Sequence, residues 1–385
     1  MTHITEHKRI HLIGIGGCSM SGLASILKNR GYYVQGSDRA ESPFTERLKE
    51  LGVPVFIGHD AKNIGDCDLI IFSAAIKSDN VERAEAKRRG IPELERSEAL
   101  GQLTEGYESV VGIAGCHGKT TITSMLALIC EQGGPDATVH IGGFVDFLNG
   151  GVRLGAHDMF ITEACEYVES FLTLRPTIAL INNIDNDHLD YYGDMEHIVA
   201  AFKKFAALLP ENGLLIGNTD DFRVRALMAE HTGRKLSYGM KDADYTPANI
   251  TYDDNGCPGF DIMFKGEKLM HIQLRIPGEH SVMNAVAAAA VAREIGADDK
   301  CIVSALNAFR NTRRRFEYYG ERNGVKYYHD YGHHPSEIAA TMKAASNVKH
   351  NKLFCVFQCN SYTRAKTLFL NDVTCFNLAD ETLVP

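Results

Sequence analysis

A chain of 385 residues exceeds what one ordinary hydrophobic core organises and predicts two or three domains. Hydrophobic residues at 44% and charged residues at 23% exclude a disordered chain. A net charge of −9, from 40 basic and 49 acidic residues, argues against a surface given over to nucleic acid but leaves room for a local basic cleft for phosphates. The N-terminal sequence shows no basic and then apolar leader, and the longest apolar run, 282–292, is short of the ~18 residues a membrane span needs. A cytoplasmic protein without membrane contact, monomeric or weakly self-associating, is therefore expected. Ten cysteines scattered from Cys18 to Cys375, with only Cys355 and Cys359 close together, predict buried free thiols in a reducing compartment.

In chain order, residues 10–17 read as a buried strand ending in a glycine turn, 19–30 as the following helix, and Gly31 as its stop. A strand at 32–38, a helix at 44–51 and strands at 53–56 and 68–73 continue a doubly wound first domain, followed by helical segments at 84–90 and 97–103. A second α/β unit opens with a strand at 108–114, the loop Gly115-Cys116-His117-Gly118-Lys119-Thr120-Thr121 and a helix through Cys130. It continues with strands at 159–163 and 177–182, a helix at 195–209 and a strand at 214–217. Residues 235–276 alternate short strands with turn signals at Asp254-Asn255-Gly256 and Lys265-Gly266-Glu267, which predicts hairpins. Helices at 280–295 and 300–310 precede Arg313-Arg314-Arg315 and a third α/β beginning, with a strand at 325–329, a helix at 335–345 and a strand at 353–358. The fold class is thus three successive parallel-sheet α/β units over 1–104, 105–312 and 313–385, the last at the low end of length for an independent domain.

The sharpest chemical signal is Gly115-x-x-Gly118-Lys119-Thr120, between an apolar strand and a helix. Glycines let backbone N–H groups turn in on phosphate oxygens, the lysine reaches the terminal phosphates, and the threonine hydroxyl completes a magnesium shell. A carboxylate for that cation is offered by Glu163, at the C-terminal end of its strand, with Glu166 three residues on as its competitor and a solvated loop pair as the plain alternative. His188, after the strand at 177–182, is an unusual partner for a hard cation on spacing alone. Gly14-Ile15-Gly16-Gly17 begins like a dinucleotide fingerprint, with Asp38 22 positions after Gly16, but Ser19 stands where the third glycine belongs. A nucleotide-diphosphate substrate fits that turn better than a nicotinamide cofactor. Arg313-Arg314-Arg315 reads as a solvated run or as a phosphate-reaching arginine at a hinge, whereas Asp330-Tyr331-Gly332-His333-His334-Pro335 concentrates more titratable groups than a structural turn requires.

Together with Met20-Ser21-Gly22, Glu163-Ala164, Asp187-His188-Leu189-Asp190-Tyr191-Tyr192-Gly193 and Arg314-Arg315-Phe316, these motifs occur in an order that resembles the Mur ligase family, in particular its UDP-N-acetylmuramate–L-alanine ligases. The resemblance implies an N-terminal Rossmann-like domain for the UDP-sugar, a central P-loop ATPase-like domain with a hairpin segment, and an incomplete C-terminal Rossmann-like domain for the amino acid. It implies ATP-dependent ligation of L-alanine to UDP-N-acetylmuramate through an acyl phosphate, with ATP and Mg2+ as cofactors, in the synthesis of peptidoglycan precursors for cell wall, shape and division. By motif, the ATP site would comprise Gly115, His117, Gly118, Lys119, Thr120, Thr121, Asn284, Arg315 and Asp330, with Thr120, Glu163 and His188 as metal ligands. Lys119, His188, Arg315 and His333 would be the catalytic set, Tyr331, His333, His334 and Arg364 would surround the amino acid, and Gly16, Gly17, Ser37, Asp38 and Ser73 would hold the UDP-sugar.

Departures from the family pattern are Ser19 for a glycine, Ser281 for an asparagine, His329 for an acid, and Gln358-Cys359-Asn360-Ser361-Tyr362-Thr363-Arg364, which lacks a usual histidine and arginine. With the chain ending at Pro385, a shortened C-terminal domain is expected. The competing readings are a non-catalytic relative that binds nucleotide or UDP-sugar, a ligase that recycles muropeptides, and an NAD(P) oxidoreductase.

Overall fold

The computed structural model describes residues 2–310, 314–359 and 374–384. It divides into two compact units, one of Met1–Gly115, Asp136–Leu215 and Leu227–Lys235, the other of Cys116–Pro135, Ile216–Ala226 and Leu236–Pro385.

The first unit begins with β1 (Arg9–Ile13), α1 (Cys18–Asn29), β2 (Tyr33–Asp38), α2 (Pro43–Glu50), β3 (Val55–Ile57), β4 (Leu69–Phe72), α3 (Val81–Arg89), β5 (Glu93–Glu95) and α4 (Arg96–Thr104). The strands form a parallel sheet in the order β3-β2-β1-β4-β5. Ile10, Leu12 and Ile13 of the central strand are fully buried, the continuous apolar run of a strand covered on both faces. Ser42 and Asn80 cap α2 and α3 through their side chains, so both helices start where the local chemistry dictates. Four turns then emerge at the C-terminal edge of this sheet: Gly14–Gly17 after β1, Ser37 and Asp38 closing β2, Gly58 and His59 after β3, and Ser73 after β4.

From β6 (Ser109–Ala114) the chain passes through the glycine loop into α5 (Lys119–Glu131), which belongs to the second unit. The first unit resumes with β7 (Ala137–Val145), β8 (Gly150–Arg153), β9 (Ala156–Glu163), β10 (Ile178–Ile181), α6 (Leu189–Tyr192) and α7 (Met195–Ala206). Here β10, β6, β9 and β7 are parallel neighbours in that order, and β8 adds an antiparallel edge. β11 (Leu214–Asn218), α8 (Phe222–Glu230) and β12 (Arg234–Tyr238) carry the chain across the unit boundaries.

In the second unit, β13 (Tyr245–Tyr252), β14 (Pro258–Phe264) and β15 (Glu267–Gln273) form the expected antiparallel hairpins. α9 (Glu279–Glu294) and α10 (Asp299–Ala308) pack with α5. The alanines of α9 are fully buried, which explains the apolar run at 282–292 as a core helix. β16 (Glu317–Arg322), β17 (Val325–His329), α11 (Pro335–Ser346), β18 (Phe354–Val356) and β19 (Glu381–Leu383) complete the chain.

One expectation is corrected. The strand at 325–329 does not open a parallel sheet but returns antiparallel on β16, because Asn323 and Gly324, both at positive φ, make a tight turn between them. β18 and β19 do pair in parallel. Of the ten cysteines, five are buried: Cys67, Cys116, Cys130, Cys257 and Cys375. Among the described residues no helix is long and apolar enough to cross a membrane.

Candidate active site

In the first unit the turn after β1 presents Gly17 as the N-cap of α1 without a side-chain cap, so the amide groups of the first turn face outward. Gly16 donates its N–H to Asp38 Oδ2 at 2.8 Å, and a Cβ there would lie 2.7 Å from Thr45 Cγ2. Asp38 therefore shapes the turn from the end of β2. Ser73 Oγ accepts the N–H of Ala75 at 3.5 Å. Ser37 behaves differently: it is fully buried and gives its hydroxyl to Glu82 at 2.5 Å. Ser19, where the family pattern has glycine, lies 3.2 Å from His140 Nε2 through Oγ, and its carbonyl lies 3.1 Å from the same nitrogen. Burial pushes the His140 imidazole down to about 4, against the smaller upward pull of the Ser19 backbone.

The carboxylates of this unit gather at the ends of β9 and β10. Glu163 Oε1 accepts the Gly142 N–H at 2.5 Å, and a Cβ at Gly142 would sit 2.8 Å from Glu163 Oε2. His188, at φ +56°, holds its Nε2 3.7 Å from both Glu166 Oε1 and Asp187 Oδ2, with the Tyr167 ring 4.7 Å away. Glu166 is buried, and Tyr192 donates its hydroxyl to the Glu166 carbonyl. Glu163, Glu166 and Asp187 supply hard oxygen donors after these strands, and Nε2 of His188 lies beyond hydrogen-bond distance of both Glu166 and Asp187. The structure thus brings His188 to Glu166, the competitor that the sequence offers to Glu163.

Gly115 has φ +137°, and a Cβ there would meet Asn182 Cβ at 3.0 Å and the Asn183 nitrogen at 3.1 Å, so only glycine fits. In the second unit Gly118, at φ +86°, is the N-cap of α5 with no side-chain cap. Lys119 Nζ lies back over the loop and donates to the Cys116 carbonyl at 3.3 Å. Thr120 and Thr121 follow in the first turn of α5. A helix start without a side-chain cap, opened by a lysine, has the chemistry that an anion site requires.

The rest of the second unit's set converges on a residue the sequence did not single out. Glu337 lies 3.3 Å from His117 Nδ1 and 3.6 Å from an Arg315 nitrogen, and accepts the His333 N–H at 3.1 Å and the His334 N–H at 3.4 Å. Burial would raise its pKa, but the His117 hydrogen bond and the nearby Arg315 charge hold the carboxyl well below the usual range. The His117 and His334 rings are 5.0 Å apart. Its position three residues after the helix N-cap His334 is the capping-box signature that would have pointed to it. Asp330 accepts the Phe316 and Gly332 N–H groups at 2.8 and 2.6 Å, leaving each oxygen a further lone pair. His333 Nδ1 lies 3.0 Å from the Tyr331 carbonyl, and the guanidinium of Arg314 lies 4.5 Å from the Tyr331 ring. Asn284 is buried on α9. Arg364 lies outside the described residues.

The UDP-N-acetylmuramate–L-alanine ligase of Clostridium beijerinckii is 45% identical over 380 residues, covering 98% of this chain and 83% of that protein. The chain belongs to the Mur ligase family. Family models described as Mur ligase catalytic domain, Mur ligase middle domain and Mur ligase glutamate ligase domain match residues 9–108, 113–292 and 314–381. The Clostridium botulinum ligase of the same name is 44% identical, again over 98% of this chain and 83% of that protein. The solved UDP-N-acetylmuramate–alanine ligase of Thermotoga maritima superposes with TM-score 0.83 at 28% identity, over 98% of this Mur ligase chain and 85% of that one. A murein peptide ligase from Psychrobacter arcticus gives TM-score 0.77 at 26% identity, over 98% and 84%.

Proposed function

We propose that this chain is an ADP-forming ligase that joins L-alanine to the carboxylate of UDP-N-acetylmuramate at the expense of ATP, in cytoplasmic synthesis of peptidoglycan precursors. The reading rests above all on the phosphate loop at the head of α5, in a chain 45% identical over 98% of its length to a ligase of that name. A carboxylate is a poor electrophile, so the reaction first transfers the γ-phosphoryl group of ATP to it, giving an acyl phosphate and ADP. The alanine amine then attacks the acyl carbon, the C–N bond forms as phosphate departs, and the amine releases its proton. No protein nucleophile takes part; the chain has to align two anions and offset their charge.

In this reading Lys119, freed from the Cys116 carbonyl, holds the β- and γ-phosphates, assisted by His117 and the loop amides of Gly115 and Gly118, with Thr120 and Thr121 behind them. Arg315 offsets phosphate charge, Asn284 meets the adenine and Asp330 uses its remaining lone pairs on the ribose. Of the magnesium ligands that the resemblance implies, Glu163 and His188 would offer donors from the first unit, His188 beside Glu166 and Asp187, and Thr120 would offer its hydroxyl from the second. Magnesium, when bound, offsets the charge that accumulates on the phosphoryl oxygens during transfer. Tyr331, His333 and His334 surround the alanine, with Arg364 assigned to it by motif alone, and Gly16, Gly17, Asp38 and Ser73 line the UDP-sugar edge with Ser37 beneath them.

Mass spectrometry of a reaction containing UDP-N-acetylmuramate, L-alanine and ATP tests the proposal. The expected product is the alanyl conjugate, with ADP release that requires both acceptors and is lost in Lys119→Met. ADP release indifferent to both acceptors overturns the reading. Preference for a preformed peptide over L-alanine would move the chain to the muropeptide-recycling ligases.

A further inference from the structure

Glu82 of α3 is a fully buried carboxylate placed beneath the C-terminal edge of the first sheet. Its Oε2 accepts the Ser37 hydroxyl at 2.5 Å and faces His11 Nε2 and His59 Nδ1, each at 3.4 Å. Its Oε1 accepts the Asn63 side-chain amide at 2.7 Å and the Asp60 N–H at 3.3 Å. Burial alone would raise its pKa, yet these bonds hold it at about 2, so it is an anion. An ionised carboxylate only accepts, which assigns the proton on each facing group. His11 Nδ1 faces the amide nitrogen of Gln35 at 3.2 Å and accepts from it, so the proton of His11 sits on Nε2, toward Glu82. His59 likewise carries its proton on Nδ1, which faces Glu82 Oε2 and, at 3.2 Å, the Ser37 oxygen, whose own proton is given to Glu82.

That leaves His59 Nε2, which has no partner among the described residues, on a side chain 20% exposed. The turn bearing it is pinned, because the Asn63 amide that reaches Glu82 also donates to the Gly58 carbonyl at 3.1 Å. β3, β2 and β1 are adjacent and parallel, and strands lie about 4.8 Å apart, so the edge of β3 is about 10 Å from that of β1. A nucleoside diphosphate with its phosphates at Gly16 and Gly17 and its ribose at Asp38 extends its base by that distance.

Resting on the UDP-sugar reading of this edge, we propose that His59, fixed in one tautomer by buried Glu82, reads the nucleobase by accepting the N3–H of uracil at Nε2. With the proton on Nδ1, the ring offers a lone pair at Nε2. Uracil donates from N3, whereas cytosine presents a lone pair and 3-methyluracil a methyl group. Ser37, Asn63 and Glu82 act through His59 as positioning residues.

Calorimetric titration of the full chain with UDP, CDP and N3-methyl-UDP tests this. Wild type is expected to bind UDP at least about tenfold more tightly than either analogue, the scale of one buried hydrogen bond. In His59→Leu, UDP binding should fall by about tenfold and the three ligands should become equivalent. Glu82→Gln, which frees the ring to change tautomer, should shift the UDP:CDP ratio the same way. If Glu82→Gln does not fold, His59→Leu alone decides, since His59 is partly exposed. A His59→Leu variant with wild-type UDP affinity and an unchanged UDP:CDP ratio overturns the proposal. Wild type that binds no UDP overturns the UDP-sugar reading of the edge, and the proposal with it.

Discussion

Replacing Glu337 by glutamine keeps an oxygen for the His333 and His334 amides but deletes the negative charge that faces His117 and Arg315. The helix cap survives, because capping boxes use either residue. The His117 contact at 3.3 Å is a hydrogen bond to an ionised acceptor, worth about 1.5–3 kcal/mol against about 1 for a neutral bond. Arg315 at 3.6 Å is about a third exposed, so its share is discounted to at most about 1 kcal/mol. The substitution should cost the nucleotide-free protein about 2 kcal/mol. Bound ATP offers His117 and Arg315 another anion, so saturating a non-hydrolysable analogue should shrink the difference. By linkage the variant then binds that analogue more tightly, by up to about 30-fold for the full 2 kcal/mol. Because the native carboxyl titrates well below the usual range, this contribution is present above ordinary carboxylate values. It is lost only as the pH falls through the lowered native value, so the difference stays flat from about pH 6 to about 9. Urea unfolding with and without the analogue, and calorimetry, measure both quantities. Equal stability of variant and wild type without nucleotide, or weaker binding by the variant, would refute the reasoning.

His140 carries a pH-dependent contribution of the same sense but of different origin, burial of a neutral ring. Its native pKa, pushed down to about 4 by burial, lies below the 6.5 of a free imidazole, so between these values the unfolded chain binds a proton that the native state excludes. Stability should decline as the pH is lowered through that window, by about 3 kcal/mol in all, and His140→Asn should flatten the slope of urea midpoint against pH. Gly22→Ala would gain about 1 kcal/mol from helix propensity alone, but the added Cβ lies 2.8 Å from His140 Cδ2. A net loss of about 1–3 kcal/mol in urea unfolding is expected, and a gain would contradict the packing. Gly115→Ala forces a side chain into φ +137° and against Asn182 and Asn183. ATP affinity should fall at least tenfold while circular dichroism is unchanged, a local cost on the order of 1–3 kcal/mol.

The alternation of strands and helices through Ala114 is readable because each central strand is an unbroken apolar run punctuated by glycine, and parallel sheets bury both faces. β7 and β8 escape a sequence reading: Gly142, Gly143, Gly150 and Gly151 interrupt their pattern, and their pairing is supplied by neighbours distant in sequence. β16 escapes because most of its residues face solvent, so no apolar alternation marks it. Missing β16 is what turned an antiparallel hairpin into an expected parallel beginning.

The site divides along the same physical line. The loop Gly115-Cys116-His117-Gly118-Lys119 announces itself because its chemistry is made by consecutive backbone amides and one lysine, all local in the chain. Glu82 sits in the charged stretch Val81-Glu82-Arg83-Ala84-Glu85, where any carboxylate reads as a solvated helix face. Nothing nearby distinguishes it from Glu85, which remains at the surface paired with Arg88. Only when β1, the end of β2 and the turn after β3 deliver His11, Ser37, His59 and Asn63 does one of the two become a buried anion with every donor aimed at it. Burial of that charge costs several kcal/mol unless it is fully hydrogen-bonded, so the donors are required by the fold itself. The proton such an anion fixes on His59 is therefore set by segments 45 and 71 positions from Glu82 as well as by neighbours 19 and 23 positions away, and no local motif can encode it.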